Sequence, residues 1–299
     1  MLDKRLTMNS KAILRSLGTH DGTFHADEVT ACSLLLLFKR IDRDKIFRTR
    51  DPSVLNRCDY VCDVGGEYNP QIRRFDHHQA GYQGPLSSAG MILLYLKEHG
   101  SIDSSLYDYF NQTLVMGVDA HDNGTARLEI GTSSFSQVVS NFLPIEYEVD
   151  AEKMMRAFRH AIDFVVNYLD RLHQRYLYIL KCKVIVREKM SEGGQAMLFD
   201  APIPWMENFF EMGGEVHPAQ FVIMPTGSHW KLRGIPPNMA DRMRVRRPLP
   251  ERWAGLHDED LQKASGIKGA IFCHKGRFIS IWKTKEDAIK ALHLALERK

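Results

Sequence analysis

Hydrophobic and polar positions in the first half of the chain alternate between short extended runs and helical stripes. Residues 12 to 17 (A-I-L-R-S-L) suit a strand, and a polar, glycine-containing loop then leads into an apolar helix from about Ala26 to Arg40. Short apolar runs recur at Lys45 to Arg48, Tyr60 to Val64 and Arg73 to Asp76, with helical segments at about Ser88 to Glu98 and Ser104 to Met116. Strands alternating with helices predict an α/β fold with a mostly parallel sheet flanked by helices.

From Ala151 to Lys181 the apolar residues Met155, Phe158, Ile162, Val165, Leu169, Leu172, Tyr176 and Ile179 fall at spacings of three and four, which makes one helical stripe. A helix of this length joins domains or packs along one. The expected boundary is its end, giving a domain at residues 1–180 and a smaller α+β domain at 181–299. The second domain is expected to hold strands at Lys183 to Val186, Gln195 to Phe199, Gln220 to Pro225 and Trp230 to Ile235. A hairpin at Ala270 to Trp282 around His274-Lys275-Gly276 and a closing helix at about Lys285 to Glu297 complete it.

Composition narrows the class. The 299 residues, 44% hydrophobic, suffice for two cores. The longest apolar stretch, Leu34 to Phe38, is far too short to span a bilayer. Met1 to Lys11 lacks both an apolar core and the repeated Arg and Ser of a transit peptide, so a cytoplasmic protein is expected. The cysteines Cys32, Cys58, Cys62, Cys182 and Cys273 form an odd set with no C-x-x-C pair, which points to reduced thiols. Cys58 and Cys62 lie near His77 and His78 in sequence and are candidate zinc partners, although they flank a predicted strand. The net charge of +3 arises after residue 189, where 16 basic side chains face 13 acidic ones. That excess is compatible with a polyanion partner without requiring one.

Four clusters carry candidate chemistry. The first loop, T-H-D-G-T-F-H-A-D-E at residues 19–28, sets His20, Asp21, His25, Asp27 and Glu28 between a strand and a helix. In a parallel sheet this is where ligands bind, though the same residues also cap helices. Asp63 in V-C-D-V-G-G ends a strand, where a carboxylate can bridge two cations or cap a turn. R-F-D-H-H-Q at residues 74–79 puts Asp76, His77 and His78 side by side. Adjacent strand residues point to opposite faces, so joint engagement of both histidines requires an irregular turn, with Gly81 and Gly84 to supply flexibility. V-D-A-H-D-N-G at 118–124 places acids at a helix C-terminus, where the helix dipole disfavours them. A divalent cation would compensate them, and a turn at Asn123-Gly124 is the competing account of Asp122.

Taken in order, these motifs resemble the DHH phosphoesterase superfamily, which includes RecJ-like nucleases. G-T-H-D-G-T-F-H-A-D-E, C-D-V-G-G-E-Y, R-F-D-H-H-Q and V-D-A-H-D-N-G resemble its Myg (melanocyte-proliferating-gene) family, described as 3′-5′ RNA exonucleases. W-K-L-R-G-I-P and G-I-K-G-A-I-F-C-H-K-G-R-F-I extend the likeness to nearly the whole chain. The resemblance implies a binuclear site with His20, His25, Asp27, Asp63, His77 and Asp119 as ligands and Asp63 bridging. His78 would face the phosphate, and Asp76 would fix the tautomer of a neighbouring histidine. The superfamily's usual first motif reads H-x(3)-D-x-D. Here His25 replaces an Asp and the spacing from His20 is one longer, which leaves His20 or Asp21 as first ligand; the last ligand is Asp119 or Asp122. More imidazole and less negative charge favours Mn²⁺ over Mg²⁺, with another transition metal as an alternative.

The implied mechanism has two cations, about 3.5 to 4 Å apart, presenting a bridging hydroxide in line with the scissile bond. Asp63, Asp76 and His78 are its expected catalytic residues. In the second domain, Arg242, Arg244, Arg246 and Arg247 with Trp253 combine cations with an aromatic surface, as single-strand binding requires. A solvated Arg- and Pro-rich loop is the alternative. Trp230 with Arg233, and His274 with Lys275 and Arg277, are further candidates. The expected substrate is single-stranded RNA or an oligonucleotide. The alternatives are a phosphohydrolase of small nucleotides and a non-enzymatic RNA-binding protein. A homodimer through the long helix is a further expectation.

Overall fold

The computed structural model describes residues 12–127, 129–146 and 148–297; the amino-terminal stretch Met1 to Lys11, read above for targeting, lies outside them. The chain separates into two compact units, Met1–Tyr176 and Leu177–Lys299.

In chain order the first unit holds β1 (Ile13–Thr19), α1 (Ala26–Leu37), β2 (Ile46–Arg48), α2 (Pro52–Leu55), β3 (Cys58–Cys62), β4 (Tyr68–Asn69), β5 (Arg74–Phe75), α3 (Ser88–Glu98), α4 (Ser104–Phe110), α5 (Met116–Asp122) and α6 (Phe135–Ser140). Helix α7 (Ala151–Ser191) begins in this unit and ends in the next. The sheet order is β2-β1-β3-β5-β4, parallel except for β4, an edge strand antiparallel to β5. This is the mostly parallel α/β sheet expected from the sequence. Leu17, Tyr60, Cys62 and Phe75 of the strands join Val29, Leu34 and Leu35 of α1 and Ile92, Leu93 and Leu96 of α3 in one buried core. Phe158, Ile162, Val165 and Leu169 of α7 belong to the same core.

Between α4 and α5 the chain makes a π-helical turn, Asn111–Val115. The helix expected to stop near Met116 therefore continues to Asp122 in a shifted register. Such turns recur at functional sites.

The second unit orders its strands β6-β7-β8-β10-β9, with β6 (Ala196–Leu198), β7 (Phe221–Thr226), β8 (His229–Gly234), β9 (Ala270–Cys273) and β10 (Ile279–Trp282). Helices α8 (Met206–Glu211), α9 (Asp258–Ser265) and α10 (Lys285–Leu296) accompany them. Of the strand pairs, β6 with β7 is parallel and the rest are antiparallel. One expected element is corrected: Lys183 to Val186 is not a strand but the continuation of α7. Its β-branched run suits a strand locally. However, Cys182 and Val186 continue the helical stripe and are buried in a core with Met197, Phe199 and Phe209. Packing overrides propensity here.

No helix among the described residues is long and apolar enough to cross a membrane.

Candidate metal centre

The site lies where β1, β3 and β5 end, because a parallel sheet exposes the loops after its strands along one edge. After β1 the backbone turns through His20 and reaches His25, the residue before α1. The Glu28 carboxylate folds back to accept the His25 backbone N–H, with both oxygens at 2.9 Å. This is the capping role weighed above. The same carboxylate also lies 3.1 Å from His20 Nε2.

Asp63 follows β3 with φ of +59°, in the left-handed region, and is buried. A non-glycine residue held there costs about 1 kcal/mol or more, so the surrounding structure must over-determine it. Its amide donates to the Phe75 carbonyl at 3.0 Å. Gly65 and Gly66, at φ of +103° and +70°, then turn the chain away from the carboxylate.

Asp63 is the hub. Its Oδ2 is 3.2 Å from His20 Nε2, and its Oδ1 is 3.4 Å from both His77 Nε2 and His78 Nδ1. Strand β5 stops at Phe75, and the irregular backbone after it lets the two adjacent histidines converge. His77 Nε2 also meets Asp122 Oδ2 at 3.1 Å. Three groups of ligand atoms each lie within 4.8 Å of one another: His20, His25, Glu28 and Asp63; Asp63, His77 and His78; and His25, Asp27 and Asp122. The groups share Asp63 and His25.

The donor set fits divalent cations. Both carboxylate oxygens of the buried Asp27 lack a hydrogen-bond partner, as do Asp63 Oδ1 and His77 Nε2 despite their close neighbours. Asp63 Oδ1 and His77 Nε2 are 3.4 Å apart without the geometry of a hydrogen bond, as expected of two groups that share a common third point. Burying an unpaired carboxylate is costly, and a cation removes the cost.

Metal-free electrostatics follow the same geometry. Burial opposes charge on His20, but the Asp63 and Glu28 carboxylates more than offset it and hold its pKa up at about 10. Asp122 and Asp63 do the same for His77, also to about 10. Burial would raise Asp63, yet His20 and His77 lower it to about 2. Asp27 is pushed well above the carboxylate range by burial and by the Asp63 and Glu28 charges.

His78 is mostly exposed. Its Nδ1 is 2.8 Å from Asp76 Oδ1, which also accepts the His78 amide at 3.1 Å, while Asp76 Oδ2 accepts from Gly66 N at 2.6 Å. Asp76 thus orients His78 and leaves its Nε2 without that constraint. His20, His25, Asp63 and His78 line a cavity of about 470 Å³ together with Arg50, Gly65 and Gly66. A second, of about 560 Å³, adjoins His25, Asp27, His77, His78 and Asp122 and includes Ser136, Ser140 and Leu143.

Several expected residues stand elsewhere. Asp119 is outside all three groups. Its Oδ1 accepts from Ser87 N, Ser87 Oγ and Gly90 N at 3.1, 2.6 and 3.0 Å, which ties α5 to the start of α3. Asp122, one helical turn on, is the acid near the histidines. Asp21 is likewise outside the groups and pairs with Arg50. Cys58 and Cys62 belong to none of the groups either.

In the second unit, Arg246 is not available to a strand. Its guanidinium donates to the carbonyls of Gly214, Glu215, His217, Ala219 and Pro236. Arg242 and Arg244 are two apart, a spacing that would set them on one side of an extended strand, but the segment holding them is irregular. Both are exposed, with Arg244 3.9 Å from Asp241. Trp253 is fully buried against Trp282, with ring centroids 5.5 Å apart, and offers no stacking face. Trp230 packs against that core with Lys285 Nζ 5.4 Å from its ring. Arg233 is half-buried and donates to the Arg242 carbonyl, and His274 Nδ1 accepts from Gly276 N at 2.9 Å to shape the β9–β10 turn. Sequence reasoning missed Glu28 as a neighbour of His20 and missed Arg50 altogether. The signal for Arg50 was its place just beyond the end of a parallel strand.

Residues 16–296 match the MYG1_exonuc model, described as an uncharacterised protein family (UPF0160). A MYG1 protein of Chlamydia pneumoniae is 51% identical over 288 residues, covering 95% of this chain and 98% of its own. Proteins named MYG1 exonuclease from Rattus norvegicus and Homo sapiens are 34% and 33% identical over 325 residues, covering 95% of this chain and 85% and 86% of theirs. Among solved structures, a manganese-bound exonuclease RecJ aligns over 95% of this chain and 91% of its own at 13% identity, with a TM-score of 0.29. The Thermus thermophilus RecJ bound to Mn²⁺ aligns at 12% identity and a TM-score of 0.28, and this chain spans about half its length.

Proposed function

Since the chain belongs to the MYG1_exonuc family, we propose that it is a metal-dependent phosphodiesterase, acting as a 3′-5′ exonuclease on single-stranded RNA with two divalent cations. The observation that carries the metal dependence is Asp27, buried with neither carboxylate oxygen hydrogen-bonded and grouped with His25 and Asp122. The mammalian relatives named exonucleases support the reaction class. The RNA preference and the direction rest on the resemblance of the four motifs.

His20, His25, Asp27, Asp63, His77 and Asp122 would hold the cations, with Asp63 shared and Glu28 beside His20. The imidazole content favours Mn²⁺. Bound there, such ions supply a nucleophile at neutral pH and charge to neutralise the phosphoryl oxygens. His78, oriented by Asp76, presents its other nitrogen to the substrate. From there it would stabilise charge on a phosphoryl oxygen, a role worth about 3 to 4 kcal/mol in comparable donor deletions.

One observation favours a second reading, a phosphohydrolase of small nucleotides. Arg246 and Trp253, expected to grip a strand, are engaged within their own unit.

Incubating 5′-labelled single-stranded RNA, matched DNA and a dinucleotide with the protein in Mn²⁺ or EDTA, alongside Asp63→Ala and His78→Ala, separates the two. Progressive shortening of RNA that needs Mn²⁺ and both side chains is expected. Cleavage of the dinucleotide alone supports the second reading, and no cleavage overturns both.

A further inference from the structure

We infer that Arg50 binds a phosphate of the substrate at the mouth of the metal centre. This inference rests on the phosphodiesterase reading above and adds a residue to it.

The backbone fixes where Arg50 stands. The amide of Thr49 donates to the Thr19 carbonyl at 2.8 Å, which pins the segment after β2 to the end of β1, beside His20. Asp51 then caps α2 by accepting from Ser53 N at 2.8 Å, so the chain leaves the site directly after Arg50.

Its side chain lines the 470 Å³ cavity with His20, Asp63 and His78. Arg50 is the one Arg or Lys among the residues lining that cavity, and the neighbouring 560 Å³ cavity has none among its lining residues. The cations of the proposed centre would be held by its buried carboxylates and imidazoles, and Arg50 adds a side-chain positive charge at the exposed entrance, where the anion must approach.

The guanidinium is held but not fully engaged. Its Nε is 3.2 Å from Asp21 Oδ1, and neither Nη has a hydrogen bond among the described residues. Tethering one edge of the fork aims it and leaves donors for a phosphate, which the guanidinium recognises through two parallel bonds. The bland alternative is a surface ion pair. Arg50 and Asp21 are 66% and 60% exposed, and such a pair contributes little to folding. Removing Arg50 therefore tests binding rather than stability.

The experiment compares wild type, Arg50→Ala and Arg50→Lys in two ways. In Mn²⁺ with single-stranded RNA, Arg50→Ala should raise KM about tenfold while kcat stays within about threefold, because one good charged contact is worth about a factor of ten. In EDTA, binding of a cleavage-resistant phosphorothioate strand is followed against salt. The slope of log K with log salt should shrink by about 0.7 in Arg50→Ala, the value of one phosphate contact on a single strand, and stay unchanged in Arg50→Lys. Arg50→Lys should restore only part of KM, since a point charge replaces the fork. Wild-type KM and slope in Arg50→Ala would overturn the inference and leave the functional reading intact. A wild type that cleaves nothing would overturn that reading, and the slope in EDTA would still decide whether Arg50 meets phosphate.

Discussion

His20 Nε2 stands 3.2 Å from Asp63 Oδ2, which joins the loop after β1 to the end of β3 at the centre of the site. The same carboxylate reaches His77 through its other oxygen. Asp63→Asn keeps the shape and suits the left-handed backbone, which Asn tolerates well. It removes the charge that two cations would share. Turnover in Mn²⁺ should fall at least about 100-fold, more than the loss of an outer-shell partner costs, while the circular dichroism spectrum is unchanged. Turnover within threefold of wild type contradicts the bridging role.

Asp119 and Asp122 sit one turn apart on α5 and should fail differently. Asp119→Ala strips Ser87 and Gly90 of their acceptor and should destabilise the first unit by about 1 to 3 kcal/mol in urea unfolding. Gly90 is tied to the same carboxylate, since a Cβ there would collide with Asp119 Oδ2; Gly90→Ala should therefore destabilise as well. Asp122→Ala should leave the urea midpoint nearly unchanged and weaken Mn²⁺ binding tenfold or more. The opposite pattern would restore Asp119 as the ligand.

Stability of the metal-free chain should fall as pH rises from neutral. His20 and His77 have folded pKa values of about 10 against an ordinary 6.5, so their stabilisation is complete below pH 6.5 and is lost as pH climbs through 10. Asp63, lowered to about 2 from 3.8, stabilises above pH 3.8 and stops doing so as pH falls through 2. Asp27, raised by burial, acts in the same direction as the histidines. Urea midpoints in EDTA should decline from pH 6.5 to 9.5, whereas Mn²⁺ affinity should rise over that range, because the ion displaces imidazole protons. A flat midpoint would contradict the pairing.

Arg246 should behave as a structural clamp. Arg246→Ala leaves several carbonyls without their donor and should destabilise the second unit by about 2 to 3 kcal/mol. Arg246→Lys should not rescue it, because an ammonium cannot reproduce the fork. The salt slope of strand binding should stay at the wild-type value; a smaller slope would make Arg246 a phosphate contact.

Much of the first unit is legible from the spacing of its apolar residues. The runs that give β1, β3 and α3 are separated by polar loops, and the loops after β1, β3 and β5 carry the His and Asp residues that the structure brings together. Glu28 was named in the first loop, but its contact with His20 was hidden because one carboxylate both caps α1 and meets His20, and a capping signature gives no sign of the second contact. The choice between Asp119 and Asp122 was closed to sequence because the two lie one turn apart on α5, and only tertiary packing commits Asp119 to Ser87 and Gly90 and leaves Asp122 beside His77. Arginines in the second unit misled for a related reason. Period-two spacing aligns side chains only on an extended backbone, and residues 241–250 form none.

Counting manganese bound per chain at equilibrium, in wild type and Asp63→Asn, tests the proposed centre most directly. About two ions per wild-type chain are expected, as in a two-metal site, with at most one retained tightly once Asp63 cannot bridge. A wild-type chain that binds no manganese, or a variant that binds it as wild type does, would contradict a centre built on Asp63.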